Sequence, residues 1–218
     1  NGLSSDLAGG ADTIVARATA SGRGALAVIR VSGSATPAVA RRLCPDLRYS
    51  RGWEAALVDL VDADGESLER AVAIPFPGPR SYTGEDMLEL LVVGNPTLLN
   101  RMTDAMVAFD GVRRAGPGEF TSRAYLNGRL TIDQAEGVAL TIAAQNDAEL
   151  AAAQRALRGQ SGTVYRAIAD QIASSLALVE AGIDFSDQEE VSVISAAALR
   201  ERLEDVRARL RGIAGEAV

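Results

Sequence analysis

Near residue 116 the chain changes character, and that switch constrains its fold more than any other feature. Before it, short β-branched runs alternate with turns: Leu26 to Val31, Ala56 to Val61, Ala71 to Phe76 and Met87 to Val93 read as strands. Asp64-Gly65 between the second and third runs is a hairpin turn signal. Thr36-Pro37 offers an N-cap followed by Pro at the first helical position, opening a helix through Val39 and Leu43. A second helix starts at Pro96, carries Leu98, Leu99, Met102 and Met106 on one face, and ends at Gly111. After residue 116 strand signals nearly vanish. Thr131 and Gln134 fit a capping box, Asn146 or Asp147 caps an Ala-rich helix running towards Arg158, whose continuation to Glu180 the glycines at 159 and 162 leave open, and Ser195 caps a third. In that last helix Leu199, Leu203, Val206 and Leu210 recur at steps of four, three and four, a stripe that must face something apolar. The pattern predicts an α+β chain: a mixed α/β domain over residues 12–117, then residues 118–218 as an all-α bundle that three helices leave incomplete. Residues 1–11 are expected to be a disordered lead.

Composition removes several kinds of chemistry. The sequence has no His and one Cys, Cys44, so imidazole catalysis, His-ligated metal, zinc clusters and disulfides within the chain are excluded. Before Pro45 at a helix end, Cys44 reads as a buried or incidental thiol. Every one of the 22 basic residues is Arg; without Lys there is no P-loop, whose ammonium must reach the phosphates. A net charge of -7 disfavours wrapping nucleic acid unaided, because such binding draws on phosphate neutralisation. No run suggests a membrane span and no signal pattern opens the chain, so a cytoplasmic protein is expected.

Two polar, glycine-broken stretches stand out, RSYTGEDMLE at residues 80–89 and GPGEFTSRAYLNGR at residues 116–129. Such runs are costly to bury unless each polar group finds a partner. Together with DTIVARATASGRGALAVIRVSG (12–33), IPFPGPRSYTGEDMLEL (74–90) and VEAGIDFSDQEE (179–190), they resemble, in order, the N-terminal part of the bacterial tRNA-modifying GTPases of the MnmE or TrmE family.

The resemblance implies a folate-binding N-terminal domain, similar to that of the glycine-cleavage T-protein, followed by the first part of a helical domain completed by segments beyond residue 218. It implies a homodimer formed through the N-terminal domain. It also implies a tetrahydrofolate derivative, 5-formyl or 5,10-methylene, as one-carbon donor for the wobble uridine of tRNA. The implied partners are a flavoprotein of the MnmG or GidA type and, through that complex, tRNA, with no membrane. GTP, Mg2+ and K+ would belong to a GTPase domain that this fragment lacks, so the chain alone is expected neither to hydrolyse GTP nor to modify tRNA. Three ligand-binding positions carry over: Arg30, Glu89 and Arg129, the last where the family often has Lys.

The residue types suit those roles. A pterin edge presents an amino group and a ring N–H that the Glu89 carboxylate can accept as a fork, and Arg30 or Arg129 can supply fixed donors to the folate tail. Strand alternation puts Arg30 in a row with Leu26 and Val28, and Glu89 in a row with Met87 and Leu91, where charges are locally unexpected. The plainer alternatives are a structural ion pair for Arg30 and Glu89, and a surface loop for Arg129 after the Asn127-Gly128 turn. Glu85-Asp86 reads as a solvated edge, Ser21 to Gly24 as a tight turn, and Asp184 to Glu190 as an interhelical loop. One departure from the family bears on function: its Gly-His-Gly-Gly turn is replaced by Val92-Val93-Gly94-Asn95 before Pro96. If that turn abolished folate binding, the chain would be a dimerising scaffold; a stand-alone one-carbon enzyme is a third reading.

Overall fold

All four strands anticipated from β-branched runs form, because alternate side chains in each find the same apolar layer. The structure, a computed structural model, describes residues 12–49, 52–62, 65–184 and 194–215. The strands are β1 (Thr13–Arg17), β2 (Gly24–Ser32), β3 (Ala56–Val61), β4 (Ser67–Phe76), β5 (Met87–Gly94) and β6 (Val112–Arg114). They form one sheet in the order β3-β4-β5-β2-β1-β6, antiparallel except for the parallel pair β1 and β6. Ala27, Ile29 and Val31 of β2 and Leu88, Leu90 and Val92 of β5 point to one face, which helices α1 (Thr36–Leu43) and α2 (Pro96–Val107) cover with Val39, Leu43, Leu99, Met102 and Met106. Each such fully buried side chain contributes roughly 1.5–3 kcal/mol. The opposite face holds Val28, Arg30, Glu89 and Leu91 and stays partly open.

Several local expectations need correction. The N-cap of α1 is Ala35, not Thr36; Thr36 lies in the first turn with Oγ1 buried and unpartnered, while Thr13 Oγ1 accepts the Ala35 N–H at 2.8 Å. Helix α2 ends at Val107, and Gly111, at φ 72°, turns the chain towards β6 instead. Strands β1 and β6 were not anticipated. The first has too short a run to register as a period, and the second, Val-Arg-Arg, is held by its parallel pairing with β1. The β3–β4 hairpin forms, with Gly65 at φ 85°, although Asp64 lies outside the described residues.

Helix α3 (Glu119–Leu126) was also unanticipated: its polar sequence lacks an apolar stripe. Helix α4 (Ile132–Ala143) opens on the anticipated capping box, with Thr131 N–H donating to Gln134 Oε1 at 2.9 Å and Gln134 N–H to Thr131 Oγ1 at 3.3 Å. Asn146 caps α5 (Asp147–Leu157) by accepting Glu149 N–H at 2.9 Å. The continuity left open by the glycines is broken at Gly159, φ 68°, and α6 (Gln160–Asp184) begins afresh, running through Gly162. Helix α7 (Ala196–Gly215) is capped by Ser195, whose Oγ accepts Ala198 N–H at 3.2 Å. Two compact units result, Asn1–Ala139 and Leu140–Val218. Within the second, α6 packs against α5 and α7, and Gln171 donates to Asp205 at 3.0 Å. Val206 is buried there while Leu203 and Leu210 stay exposed, so the stripe is only partly covered. Most of the anticipated Asp184 to Glu190 loop, residues 185–190, lies outside the described residues. Among the described residues no helix is long and apolar enough to cross a membrane.

Candidate functional site

Arg30 and Glu89 face each other across β2 and β5 on the open side of the sheet, because the register pairs them directly. Arg30 Nε donates to Glu89 Oε1 at 2.8 Å, and Nη2 lies 2.6 Å from the same oxygen. Their side chains keep 24% and 19% of their surface, so the pair is half-buried and reachable. Both contacts fall on Oε1; Glu89 Oε2 has no hydrogen-bond partner among the described residues, and neither has Arg30 Nη1. The site thus joins a charge-assisted pair to an open carboxylate oxygen and to guanidinium N–H groups left over.

Aromatic rings wall this pair. The Arg30 guanidinium carbon lies 5.2 Å from the centre of the Tyr82 ring and 5.4 Å from that of Phe120, a distance at which ring quadrupoles attract a cation. Tyr82 and Phe120 were not singled out in the sequence. Each sits in one of the two conspicuous motifs, and only the fold brings the motifs together over Arg30. On the β4 side, Ile74 pairs with Glu89, and Phe76 two residues on meets Trp53 edge to face at 4.9 Å. Trp53 has φ 70°, rare for a large residue, and its N–H donates to Pro75 O at 2.7 Å.

The motif charges build the wall rather than the open site. Arg123, only 5% exposed, donates to Asp12 Oδ1 at 2.8 Å, to Glu119 Oε1 at 3.1 Å and to Glu85 Oε1 at 3.2 Å. Arg113 grips Glu119 with two nitrogens and Asp12 with a third. Burial opposes ionisation of Glu119, yet the hydrogen bonds from Arg113, from the Gly116 N–H and from Arg123 outweigh it and hold its carboxyl down to about 2. Asp12 is held below the usual carboxylate range in the same way, against burial, by Arg113 and Arg123. Glu85 is therefore not on a solvated edge; it also accepts Ser32 Oγ at 2.7 Å, while Asp86 accepts the Gly78 N–H at 3.0 Å. Ser32 Oγ meets Thr83 Oγ1 at 2.7 Å, Asn127 donates to Thr83 O at 2.7 Å, and Tyr82 meets Thr121 at 2.9 Å. These bonds clamp the loop of residues 81–86 between β2 and α3, which sets the Tyr82 ring.

Arg129 is exposed, and its stem lies against Gly84, which at φ 82° leaves room for it. The structure puts it beside the loop that carries Tyr82, with no ion pair to Glu89. The altered turn has structural work of its own: Asn95 caps α2 by accepting Thr97 and Leu98 N–H groups, and Gly94 lets the Gly24 backbone approach closely. Val93 and Asn95 border a groove of about 450 Å³ with Glu69, Leu98 and Arg101. Gly22, at φ 123°, makes the expected tight turn into β2, and Cys44 is fully buried, its thiol pushed up to about 12 by burial. Among the described residues no cluster of His, Cys, Asp or Glu could hold a metal ion.

A sheet module with a walled ion pair on its open face, followed by a unit of helices, defines a two-part class of protein. Residues 13–129 match the family model for the GTP-binding protein TrmE N-terminus, and residues 132–217 match that for the MnmE helical domain. The chain belongs to the MnmE/TrmE family. It is 47% identical over 181 residues to the tRNA modification GTPase MnmE of Halorhodospira halophila, covering 83% of this chain and 38% of that relative. Likewise it is 41% identical to the protein of that name from Ralstonia nicotianae (94% of this chain, 43% of the relative) and 43% identical to that from Burkholderia mallei (97% and 46%). The chain spans under half the length of these curated relatives.

Proposed function

We propose that this chain is the folate-binding and dimerising part of a tRNA-modifying GTPase. The observation that carries this reading is the half-buried Arg30–Glu89 pair, with Glu89 Oε2 unpartnered among the described residues and the Tyr82 and Phe120 rings over Arg30. A reduced pterin has what that oxygen lacks, an amino group and an adjacent ring N–H. Apolar Ile74 and the rings of Tyr82 and Phe120 suit the flat body of such a ligand. Arg129, exposed beside Gly84, is the residue this reading gives to the anionic tail of the folate. The folate serves as one-carbon donor, 5-formyl or 5,10-methylene, for the wobble uridine, and the contribution of this part is to place it, since proximity and orientation supply much of the rate gain.

The same reading makes the sheet unit a homodimerisation module. Its open face leaves Leu26, Leu57 and Val93 exposed, which a second copy would cover. The flavoprotein of the MnmG type and tRNA join through the assembled protein. GTP, with its Mg2+ and K+, is handled by a GTPase domain outside this sequence, and a chain without Lys turns over no GTP above background. The scaffold alternative draws its support from the altered Val92 to Asn95 turn. Calorimetric titration of the 218-residue chain with 5-formyltetrahydrofolate decides between them. Saturation near one folate per chain supports the cofactor module; no heat from a folded dimer supports the scaffold.

A further inference from the structure

We infer that the groove beside the altered turn is a further binding site, one for a small alkylammonium ion held by Glu69 and by apolar walls. The inference is independent of the folate reading. It concerns the end of the sheet where the pairing of β4 with β5 stops, at Val72 and Leu91. Beyond that pair Glu69 takes over from the backbone, accepting the Val93 N–H on Oε1 at 3.1 Å. Its other oxygen, Oε2, is buried without a hydrogen-bond partner, and the carboxylate has no ion pair among the described residues. A carboxylate left half-satisfied in this way costs stability, and a cation that also donates hydrogen bonds offsets most of that cost.

Glu69 itself lines the groove of about 450 Å³, a volume in the range of small-molecule sites, together with Leu68, Val93, Leu98 and Arg101. The other charge there, Arg101, is drawn to Asp62, 3.6 Å away. The start of α2 offers nothing to an anion. Pro96 has no N–H, those of Thr97 and Leu98 go to Asn95 Oδ1, and that of Leu99 goes to Asn95 O. The uncompensated charge of the groove is therefore negative, and its ligand a cation. Leu68, Val93 and Leu98 add apolar surface, half of Val93 being exposed. A bare metal ion would leave that surface uncovered. A primary alkylammonium uses both features: its N–H groups suit the carboxylate and its chain the apolar walls. The terminal torsion of a Glu side chain is soft, so the carboxylate can turn to a donor in the groove without moving β4.

The experiment follows the Val93 amide, which is bonded to Glu69, by proton–nitrogen correlation spectroscopy of the whole chain at constant ionic strength. Butylammonium, methylammonium, tetramethylammonium and K+ are added in separate titrations. Butylammonium is expected to shift the amide saturably, with a Kd on the order of millimolar. Methylammonium, too short to cover the walls, should bind at least about fivefold more weakly. Tetramethylammonium, which has no N–H, and K+ should give no saturable shift. Glu69→Gln keeps an oxygen for the Val93 N–H but loses the charge, and should weaken butylammonium by more than about tenfold with circular dichroism unchanged. No saturable shift with butylammonium overturns the inference, as does undiminished binding by the variant. An equal response to K+ or methylammonium would mean an adventitious ion only and overturns it too. Should Glu69→Gln fail to fold, the four wild-type titrations decide by themselves.

Discussion

At the residue scale, charges conspicuous in the sequence divide into two groups that the sequence does not separate. Glu85, Glu119 and Arg123 are absorbed in a buried network with Asp12 and Arg113, whereas Arg30 and Glu89 pair with atoms to spare. Removing the spare acceptor should be felt by the ligand before the fold. Glu89→Ala is expected to weaken 5-formyltetrahydrofolate by more than about tenfold, the cost of lost charge-assisted hydrogen bonds, while far-UV circular dichroism stays unchanged. Unaltered affinity would remove Glu89 from the site. The network instead predicts an acid sensitivity. Asp12 and Glu119 both have folded values below their ordinary ones, so their stabilisation is fully present above about pH 4.5 and is lost as pH falls towards about 2. The melting temperature should drop across that window, and Glu119→Gln should flatten the drop while lowering stability near neutrality by about 2 kcal/mol. An equally steep acid drop in the variant would show that other carboxylates govern it.

At the element scale, the turns decide more than the strands and helices they join. Capping chemistry read from Thr131, Asn146 and Ser195 matches the hydrogen bonds observed, because caps are local and a few side-chain atoms suffice. Thr36 fails the same test: Ala35 takes the cap position and the fold supplies Thr13 from a neighbouring strand. Gly94 is the survivor of an altered turn, and its role is to admit the backbone of β2. A Cβ there would stand 2.6 Å from Gly24 O and 3.0 Å from Gly24 N, atoms of a paired strand that cannot swing aside. Gly94→Ala should therefore destabilise the sheet by about 1–3 kcal/mol in denaturant unfolding. A neutral effect would mean that β2 and β5 separate there at little cost.

For the whole molecule, the exposed apolar residues of the sheet's open face set the expected assembly. Sedimentation velocity should find a dimer at micromolar concentration. Leu57→Asp, at a position 66% exposed, should shift it to monomer with its circular dichroism intact. A dimer that survives the change would put its interface elsewhere. By itself the sequence determined the division into a sheet part and a helical part, the four longer strands, the caps at Thr131, Asn146 and Ser195, and the rows holding Arg30 and Glu89. Each depends on periodicity or on contacts within a few residues, which a linear reading contains. The tertiary structure alone decided that β1 and β6 exist, that polar α3 is a helix, and that Tyr82 and Phe120 meet over Arg30. It alone decided that Glu85 and Arg123, 38 residues apart, are structural partners while Glu89, four residues on, keeps an open oxygen. Those outcomes rest on contacts between distant segments, whose free energy comes from burial and charge pairing across the fold rather than from any residue's neighbours in the chain.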